Sequence, residues 1–366
     1  MDNFKFFQNK ECEYFPCHKI KEEKNFNCLF CYCPLYLTNE YCGGNFTYTK
    51  NGIKDCSNCI LPHKKENYDY INKKLYEASL MTKQNELKNI KMIVTDLDHT
   101  ILKDEFSIGD VYIDTFGKLK QKGYITVFST ARGFYQAYNF AYKIKPDYII
   151  CDNGASIIKY DYEKEEKNII KQTLIPAEVK LDILNTLKDD DTLLYLIESK
   201  KDLYITDCKY APEFVKKNTE FFSKVKNTVK DFSVHKIKSL SEMPFNIPLT
   251  RICTFDYVNN PDTKKTLSYL GEKHKEINYS KSFKTTFEFG CTNKGNALKY
   301  LIEYTGLKKE NIISFGDSIT DLSMFEESGV SVAVENGVKE LKDKAMYICE
   351  SVFNDGVNKF IKEKFF

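Results

Sequence analysis

The chain has 366 residues, of which 42% are hydrophobic and 29% charged, a composition typical of globular domains that excludes a disordered protein. The length suits two or three domains, and a net charge of +2 gives no general attraction for nucleic acid or anionic membranes. No apolar run approaches the roughly 20 residues of a membrane span. Because the first residues lack the pattern of a signal peptide, we expect a cytoplasmic protein.

The first 66 residues are rich in cysteine, with eight of the chain's 13 cysteines before residue 60. The pairs Cys28/Cys31 and Cys56/Cys59 have C-x-x-C spacing, which is typical of zinc sites, and aliphatic residues are too few here to form a core unaided. A reducing cytoplasm disfavours disulfides, and an iron–sulfur cluster is the weaker alternative to Zn²⁺. We therefore predict a small metal-stapled module at residues 1–66. The candidate zinc ligands are Cys12, Cys17, Cys28, Cys31, Cys33, Cys42, Cys56, Cys59, His18 and His63.

This module resembles the cysteine-rich small domain family in the order of its cysteines, from Cys12 through Cys42-Gly-Gly44 to Pro62-His63. The resemblance implies metal binding without supplying an activity. Lysines and acids nearly balance in the segment, so we do not expect it to bind nucleic acid. Binding of a protein partner and dimerisation through the module stay open. Residues 67–88 predict a linker helix.

Residues 89–156 predict the first half of an α/β core. The run Met92 to Val94 leads into Asp96 and Asp98, which share a face at the carboxyl end of a strand because they are two residues apart. Adjacent acids need a cation or a proton between them, which suits Mg²⁺.

Two further predicted strands of this half also end in polar residues. Thr130 follows the second strand and precedes a helix, as in a phosphate seat, although helix capping alone would also explain it. The third strand ends before Asp152 and Asn153. Alternating strands and helices predict a doubly wound parallel sheet.

Residues 157–283 predict an inserted α/β domain that covers the active site and selects the substrate. We expect strands near 192–197, 203–206 and 249–257, and helices near 177–187, 211–225 and 262–271. Of 54 basic residues only Arg132 and Arg251 are arginine. Arg251 is interpreted as a reader of a substrate anion or as a member of a buried ion pair.

Residues 284–366 predict the second half of the core. Lys294 stands at the start of a helix, where a cation and free backbone N–H groups favour phosphate. A following apolar strand ends at Asp317, with Asp321 four residues later. These acids repeat the pattern of Asp96 and Asp98.

Taken together, the separated motifs resemble the haloacid dehalogenase superfamily, in particular its Cof-type phosphatases with a large α/β cap. The matching segments are Asp96-Leu-Asp-His-Thr100, Thr130-Ala-Arg132, Asn153-Gly-Ala155, Asn293-Lys-Gly295, Gly316-Asp-Ser-Ile-Thr-Asp321 and Asp355-Gly-Val357. The family usually has Gly at His99, Gly at Ala131 and Asn at Thr320.

The resemblance implies a Mg²⁺-dependent phosphohydrolase of a small phosphorylated metabolite. Asp96 would be the nucleophile that forms an aspartyl-phosphate, and Asp98 the general acid and base. Thr130, Lys294, Arg132 and Asn153 are the expected phosphate or substrate ligands. The expected magnesium ligands are Asp96, the carbonyl of Asp98, Asp317 and, in a supporting role, Asp321.

Other functions stay open at this stage. The main alternative is a partner-binding or regulatory protein that uses the cysteine-rich module and keeps weak phosphatase activity. A phosphotransferase or mutase would transfer phosphate without net release. A phosphatase guided to nucleic acid by a zinc ribbon is disfavoured by the neutral module.

Overall fold

The computed structural model describes residues 3–104, 107–199, 201–229, 232–282 and 286–366. The chain divides into two compact units, Met1–Lys88 and Asn89–Phe366, which are described separately. Among the helices of these described ranges, none combines the length and the apolar character needed to cross a membrane.

The first unit has little regular structure and a small core. Ile71 is fully buried and packs with Leu35 and Cys42, so the predicted linker helix belongs to the cysteine-rich module. Short 3₁₀ turns make up much of the remaining backbone. The strands and the helix of this unit are β1 (Thr47–Tyr48), β2 (Lys54–Asp55), which pairs antiparallel with β1, and α1 (Tyr68–Lys88).

The second unit is built from two sheets and their helices. Its strands are β3 (Met92–Thr95), β4 (Ile125–Ser129), β5 (Tyr148–Cys151), β6 (Ser156–Asp161), β7 (Glu166–Gln172), β8 (Leu193–Ser199), β9 (Asp202–Thr206), β10 (Ser233–Ile237), β11 (Arg251–Asp256), β12 (Asn278–Ser282), β13 (Thr286–Gly290), β14 (Ile312–Gly316), β15 (Val330–Val334) and β16 (Tyr347–Cys349). Its helices are α2 (Asp110–Gln121), α3 (Phe134–Ile144), α4 (Ala177–Leu187), α5 (Pro212–Thr228), α6 (Pro261–Lys273), α7 (Lys294–Thr305), α8 (Leu322–Glu326), α9 (Lys339–Lys342) and α10 (Gly356–Phe365).

The larger sheet has the order β16-β15-β14-β3-β4-β5-β6-β7 and is parallel from β16 to β5. Side chains alternate between its faces. Val94 packs in a cluster with residues of α7 and α8, whereas on the other face Phe128 contacts Phe116 of α2, and Phe315 contacts Phe360 of α10. Helices therefore cover both faces, and the predicted doubly wound α/β core is confirmed.

The smaller sheet has the order β10-β9-β8-β11-β13-β12 and is mainly antiparallel. Its core joins Val179 of α4 and Leu267 of α6 to Ile197 and Ile252 on the strands. This second α/β layer is inserted between strands of the larger sheet, and we refer to it as the cap.

The boundaries between the core and the cap lie at different residues from those predicted. The strands β6 and β7 form a hairpin that extends the larger sheet to residue 172, whereas β13 pairs with β11 and β12 inside the cap. A hairpin adds antiparallel strands without a crossover helix, so the alternation of strand and helix that indicates a parallel sheet does not reveal it.

Candidate active site and cysteine-rich module

The acidic residues meet because neighbouring parallel strands end together. Thr95, the last residue of β3, is paired with Phe315 of β14. Asp96 follows Thr95, and Asp317 lies two residues after Phe315, so both acids leave the sheet at the same edge. Carboxylate oxygens of Asp96, Asp317 and Asp321 lie within 4.8 Å of one another.

Asp96 is held at both of its oxygens. Lys294 Nζ donates to Asp96 Oδ1 at 2.6 Å, and Thr100 Oγ1 donates to Oδ2 at 3.2 Å. Lys294 is 1% exposed, and its Nζ also donates to Asp321 Oδ1 at 2.7 Å. Burial opposes the charged ammonium, but Asp321 and Asp96 outweigh it and raise the pKa of Lys294. The carboxylate of Asp96 therefore has a fixed orientation.

Asp321 organises the loop that carries Asp317. Its Oδ2 accepts hydrogen bonds from the backbone N–H groups of Asp317 and Ser318, each at 3.0 Å. A Cβ at Gly316 would collide with the Asp321 side chain, so this approach requires glycine. The position of Asp317 thus depends on Asp321.

The donor set fits a magnesium ion. Three carboxylates lie together, two of them in contact with the ammonium group of Lys294, and oxygen donors are those that Mg²⁺ prefers. Burial, followed by the repulsion of Asp96 and Asp321, raises the pKa of Asp317 to about 8. Burial also raises the pKa of Asp96 to about 7, against the opposing charge of Lys294. Such mutual repulsion is relieved by a bound dication.

Asp98 is held by an arginine. Arg132 Nε donates to Asp98 Oδ2 at 2.9 Å and Arg132 Nη2 donates to Oδ1 at 2.6 Å. Burial opposes ionisation of Asp98, but the guanidinium outweighs it and holds the pKa of the carboxyl below its ordinary value. The structure therefore places Arg132, which we predicted as a substrate ligand, on the predicted general acid and base.

Neither Thr130 nor Asn153 is among the described residues that line the cavity, and Thr130 is fully buried. Thr130 Oγ1 accepts a hydrogen bond from Arg132 N at 3.1 Å, and Asn153 N donates to Thr130 O at 3.1 Å. Gly154, with φ of +100°, brings this turn against the backbone of Asn293, immediately before Lys294. The turn thereby braces the start of α7.

A cavity of about 430 Å³ joins these groups to the cap. The core supplies Asp96, Asp98, Lys294 and Asp317 to its floor. The cap supplies mainly apolar walls, together with the polar residues Asn218, Arg251, Thr286 and Glu288, and the helix α3 adds Gln136. Sequence reasoning did not identify this wall, although the aromatic residues of α5 recur at helical spacing. The apolar cap residues lining the cavity are Leu196, Phe214, Phe221, Phe222, Cys253 and Phe255.

Arg251 is paired with two acids. Its Nη1 donates to Glu288 Oε1 at 2.6 Å, and its Nε lies 3.7 Å from Asp152 Oδ1, with the arginine side chain 7% exposed. The structure shows the buried ion pair, and because Arg251 also lines the cavity, its contact with a substrate anion stays a prediction. Because Asp152 follows β5 of the core, this pair also joins the cap to the core.

One group of predicted zinc ligands in the first unit centres on His63. Ligand atoms of Cys17, His18 and His63 lie within 4.8 Å of one another. His63 Nδ1 is 3.0 Å from Asn27 O, to which it donates, so the lone pair of Nε2 faces Cys17 Sγ, 3.8 Å away. Metal-binding histidines typically donate their second nitrogen in this way. Burial first, and then the charges of Cys31, Cys28 and Cys12, raise the pKa of Cys17.

A second group contains Cys33, Cys42, Cys56 and Cys59. Burial raises the pKa of Cys56, and the nearby charges of Cys59, Cys33 and Cys42 add to that effect, whereas Lys54 opposes it. Lys54 is 7% exposed, and its Nζ donates to Cys42 Sγ at 3.4 Å. A buried ammonium that contacts Cys42 and acts on the charge of Cys56 would offset part of the negative charge of four thiolates around one Zn²⁺.

Comparisons with known proteins agree with this division of the chain. The model of the haloacid dehalogenase-like hydrolase family matches residues 93–361, and that of the cysteine-rich small domain matches residues 3–86. The 5-amino-6-(5-phospho-D-ribitylamino)uracil phosphatase YcsE of Bacillus subtilis is 26% identical over 286 residues, covering 77% of this chain and 98% of the relative.

Solved structures show the same fold. TM0651 from Thermotoga maritima has a TM-score of 0.60 and 27% identity, covering 75% of this chain and 97% of that one. A haloacid dehalogenase-like hydrolase from Bacteroides thetaiotaomicron has a TM-score of 0.63 and 21% identity, covering 75% of this chain and all of that one. The chain therefore belongs to the haloacid dehalogenase-like hydrolase family and is a phosphatase that carries a cysteine-rich small domain at residues 3–86.

Proposed function

We propose that this phosphatase hydrolyses the phosphate monoester of a small metabolite in a Mg²⁺-dependent reaction that passes through an aspartyl-phosphate on Asp96. The supporting observation is the fixed carboxylate of Asp96 in the cavity floor, with Lys294 at one oxygen and Thr100 at the other. Fixing the nucleophile before substrate binds lowers the entropic cost of reaching the transition state.

In the first step an oxygen of Asp96 attacks phosphorus, and the bond from phosphorus to the ester oxygen breaks. Asp98, in its protonated form, gives its proton to the leaving oxygen. Because Arg132 favours the ionised form of Asp98, this step requires Asp98 to turn from Arg132 toward the substrate and take up a proton.

In the second step water attacks the phosphorus of the aspartyl-phosphate. Asp98, now ionised, takes a proton from that water, and the bond between phosphorus and the Asp96 oxygen breaks. Inorganic phosphate leaves and Asp96 is regenerated. The hydrogen bonds from Arg132 favour this step, because they keep Asp98 ionised and able to accept the proton.

Asp96, the main-chain carbonyl of Asp98 and Asp317 would hold Mg²⁺, with Asp321 fixing the Asp317 loop. When bound, the ion neutralises charge on the phosphoryl oxygens. Lys294 would bind the remaining phosphoryl oxygens, as developing charge in the transition state requires. Thr130, which is fully buried, would act by holding the backbone of Arg132. Arg132 acts through Asp98 in this scheme, and Asn153 acts by supporting the start of α7.

A first candidate substrate comes from the Bacillus subtilis relative, which is named for hydrolysis of 5-amino-6-(5-phospho-D-ribitylamino)uracil. The match spans 98% of that relative, so it includes both core and cap. We propose this compound as the first to test, together with sugar phosphates, nucleotides and cofactor phosphates.

The deciding experiment measures phosphate release from this panel with Mg²⁺, using Asp96→Asn as the blank. We expect release by the native protein and none by the variant. Asp114→Asn, which changes an exposed acid on α2, is the matched control and should retain full activity. Equal release by the native protein and Asp96→Asn would overturn the proposal, as would phosphate transfer to an acceptor without net release.

We also propose that the first unit binds two zinc ions. One site would use Cys33, Cys42, Cys56 and Cys59, whose charge Lys54 offsets. The other would draw four ligands from the group around His63, which contains Cys12, Cys17, Cys28, Cys31, His18 and His63. An iron–sulfur cluster is the alternative, and the colour and iron content of the purified protein distinguish the two.

For the cysteine-rich unit, we propose that it binds a protein partner or a second copy of the chain. Tyr32 is 95% exposed and Leu37 is 85% exposed, which favours a contact surface. A cytoplasmic location and the absence of nucleic-acid binding stay predictions. If no phosphoester were hydrolysed by zinc-loaded protein, partner binding would become the leading function.

A further inference from the structure

Two buried polar atoms in the active-site cavity have no hydrogen-bond partner among the described residues. They are Gln136 Nε2, on the core helix α3, and Glu288 Oε2, on the cap strand β13. Gln136 is 7% exposed and Glu288 is 4% exposed, and both line the cavity that contains Asp96. Buried polar atoms normally find partners, because an unpaired one loses its bonds to water without replacement.

We propose that Gln136 and Glu288 form a donor–acceptor pair that recognises the edge of a flat, nitrogen-containing ring at the end of the substrate remote from the phosphate. This inference rests on the proposed function, since it concerns the substrate of the same site. It assigns a specificity role to two residues that the sequence motifs do not include.

Glu288 can serve only as an acceptor in this position. Its Oε1 is bound to Arg251 Nη1 at 2.6 Å, and Arg251 is itself held near Asp152. The guanidinium thus fixes the carboxylate and leaves Oε2 for a ligand. A carboxylate accepts hydrogen bonds and donates none, so the matching ligand group is an N–H or an O–H.

Gln136 supplies the complementary function. Its side-chain nitrogen is a donor, so the matching ligand group is a carbonyl oxygen or a ring nitrogen with a lone pair. An N–H beside a carbonyl is the edge that uracil-like and related heteroaromatic rings present. A simple sugar offers hydroxyl groups in all directions and no such flat edge.

The rest of the cap wall favours a ring over a sugar. Phe214, Phe221 and Phe222 of α5 and Phe255 of β11 line the cavity. Phenyl rings stack on flat unsaturated groups, whereas hydroxyl groups placed against them would lose hydrogen bonds to water. The cavity thus combines an apolar wall with a few polar groups that fix orientation, as ligand sites commonly do.

The first test compares phosphoesters that share a phosphate-bearing chain and differ in the ring. The pairs are uridine 5′-monophosphate with ribose 5-phosphate, and 5-amino-6-(5-phospho-D-ribitylamino)uracil with ribitol 5-phosphate. We expect kcat/KM to be at least tenfold higher for the ring compound in one pair or more. If every ring compound were equal to or poorer than its ringless partner, the inference would be wrong.

The second test assigns the preference to Gln136. Gln136→Met keeps the side-chain volume and removes the donor, and we expect the ratio of kcat/KM values, ring to ringless, to fall about tenfold. Gln172→Met changes a glutamine of β7 that does not line the cavity and should keep the native ratio. An unchanged ratio in folded Gln136→Met would overturn the inference.

The third test assigns the acceptor role to Glu288. The ring compound of the better pair is compared with an analogue that carries a methyl group on the ring nitrogen beside a carbonyl. This analogue cannot donate a hydrogen bond from that nitrogen. We expect the native protein to discriminate against the methylated compound about tenfold and Glu288→Gln to lose most of that discrimination. Equal discrimination by both proteins would contradict the assignment to Glu288.

These outcomes separate the inference from the function on which it rests. If the native protein released phosphate from no ester, the proposed function would fail. If it released phosphate from ring and ringless esters equally, only the inference would fail. Thermal unfolding of each variant confirms that a changed ratio does not come from misfolding.

Discussion

Arg132 donates to both carboxylate oxygens of Asp98, with Nε 2.9 Å from Oδ2 and Nη2 2.6 Å from Oδ1. The arginine also lies over the ring of Phe140, at 5.1 Å from its centroid, which limits its own movement. A planar guanidinium makes this two-bond contact, and a lysine ammonium cannot copy it. Arg132 is therefore a positioning residue for Asp98.

We expect Arg132→Lys to lower kcat by about 10²-fold while changing KM much less, because the substrate still binds but Asp98 is misplaced. Steady-state kinetics on the best substrate provide the measurement. Lys143→Arg is the reverse substitution at an exposed residue of α3 and should leave both kcat and KM unchanged. A rise in KM alone would instead indicate that Arg132 binds the substrate.

Lys294 is buried between Asp96 and Asp321, so its removal leaves two carboxylates without their cation. We expect Lys294→Met to abolish turnover and to lower the free energy of unfolding by about 3–5 kcal/mol. Urea unfolding provides the measurement. Lys299→Met, on the exposed face of the same helix, should change stability by less than about 0.5 kcal/mol. Equal stability of the two variants would show that Lys294 is not a structural cation.

Gly154 adopts φ of +100° and packs against the backbone of Asn293. We expect Gly154→Ala to push away the start of α7, lowering both stability and kcat, because the added Cβ has no space. Gly123→Ala is the matched control: Gly123 has φ of +83°, and nothing lies within 4 Å of its added Cβ. That variant should cost about 1 kcal/mol of strain and keep native kcat. Equal loss of kcat in both would contradict a bracing role for the turn.

Glu198 of β8 accepts hydrogen bonds from Tyr135 N, at 3.1 Å to each oxygen, and so joins the cap to the first turn of α3. Burial, followed by the charge of Asp152, raises the pKa of Glu198 to about 7, although Lys167, the Tyr135 N–H and Arg251 act in the opposite direction. The folded protein thus keeps a proton that the unfolded chain releases near pH 4.5.

Because the folded state binds more protons in this window, stability falls as pH rises from about 4.5 to about 7 and this contribution is constant above it. We expect Glu198→Gln to remove that part of the pH dependence. Melting temperatures measured from pH 5 to pH 8 give the comparison, in which the variant should show the flatter curve. Parallel curves for the two proteins would refute the assignment.

The two proposed zinc groups predict how metal content responds to single changes. We expect about two zinc ions per native chain, and about one in either Cys59→Ser or His63→Ala, because each variant damages a different group. Metal analysis of purified protein measures this. Cys208→Ser, at a lone buried cysteine of the cap, should keep the native content. Full loss of metal in one single variant would mean that the sites are not independent.

The sequence was sufficient for the catalytic edge because that edge depends on local rules. Apolar strands that run into acids, at Asp96 and at Asp317, meet wherever their strands pair in parallel. The structure also explains why the family usually has glycine at the position of His99. His99 has φ of 56°, a region that favours glycine, which is the residue the family usually has there.

The cap side of the site could not be predicted in the same way. Arg251 meets Glu288 at a separation of 37 residues and meets Asp152 across the boundary between cap and core. Such pairs depend on how the sheets pack against each other. Neither the periodicity of charged residues nor a short motif predicts that packing. The same reason hides Gln136, which sits in a helix whose other buried residues are apolar or aromatic.

The end of β13 has a consequence for how such enzymes can diverge. Glu288 stands on this strand, which ends at Gly290, and α7 begins at Lys294, so only Cys291, Thr292 and Asn293 lie between cap sheet and core helix. A cap exchanged between relatives at this junction would import new substrate preferences. The recipient would keep its own Lys294, the cation that pairs with Asp96, provided that the exchange ends before Lys294 and keeps the length of the three-residue connection.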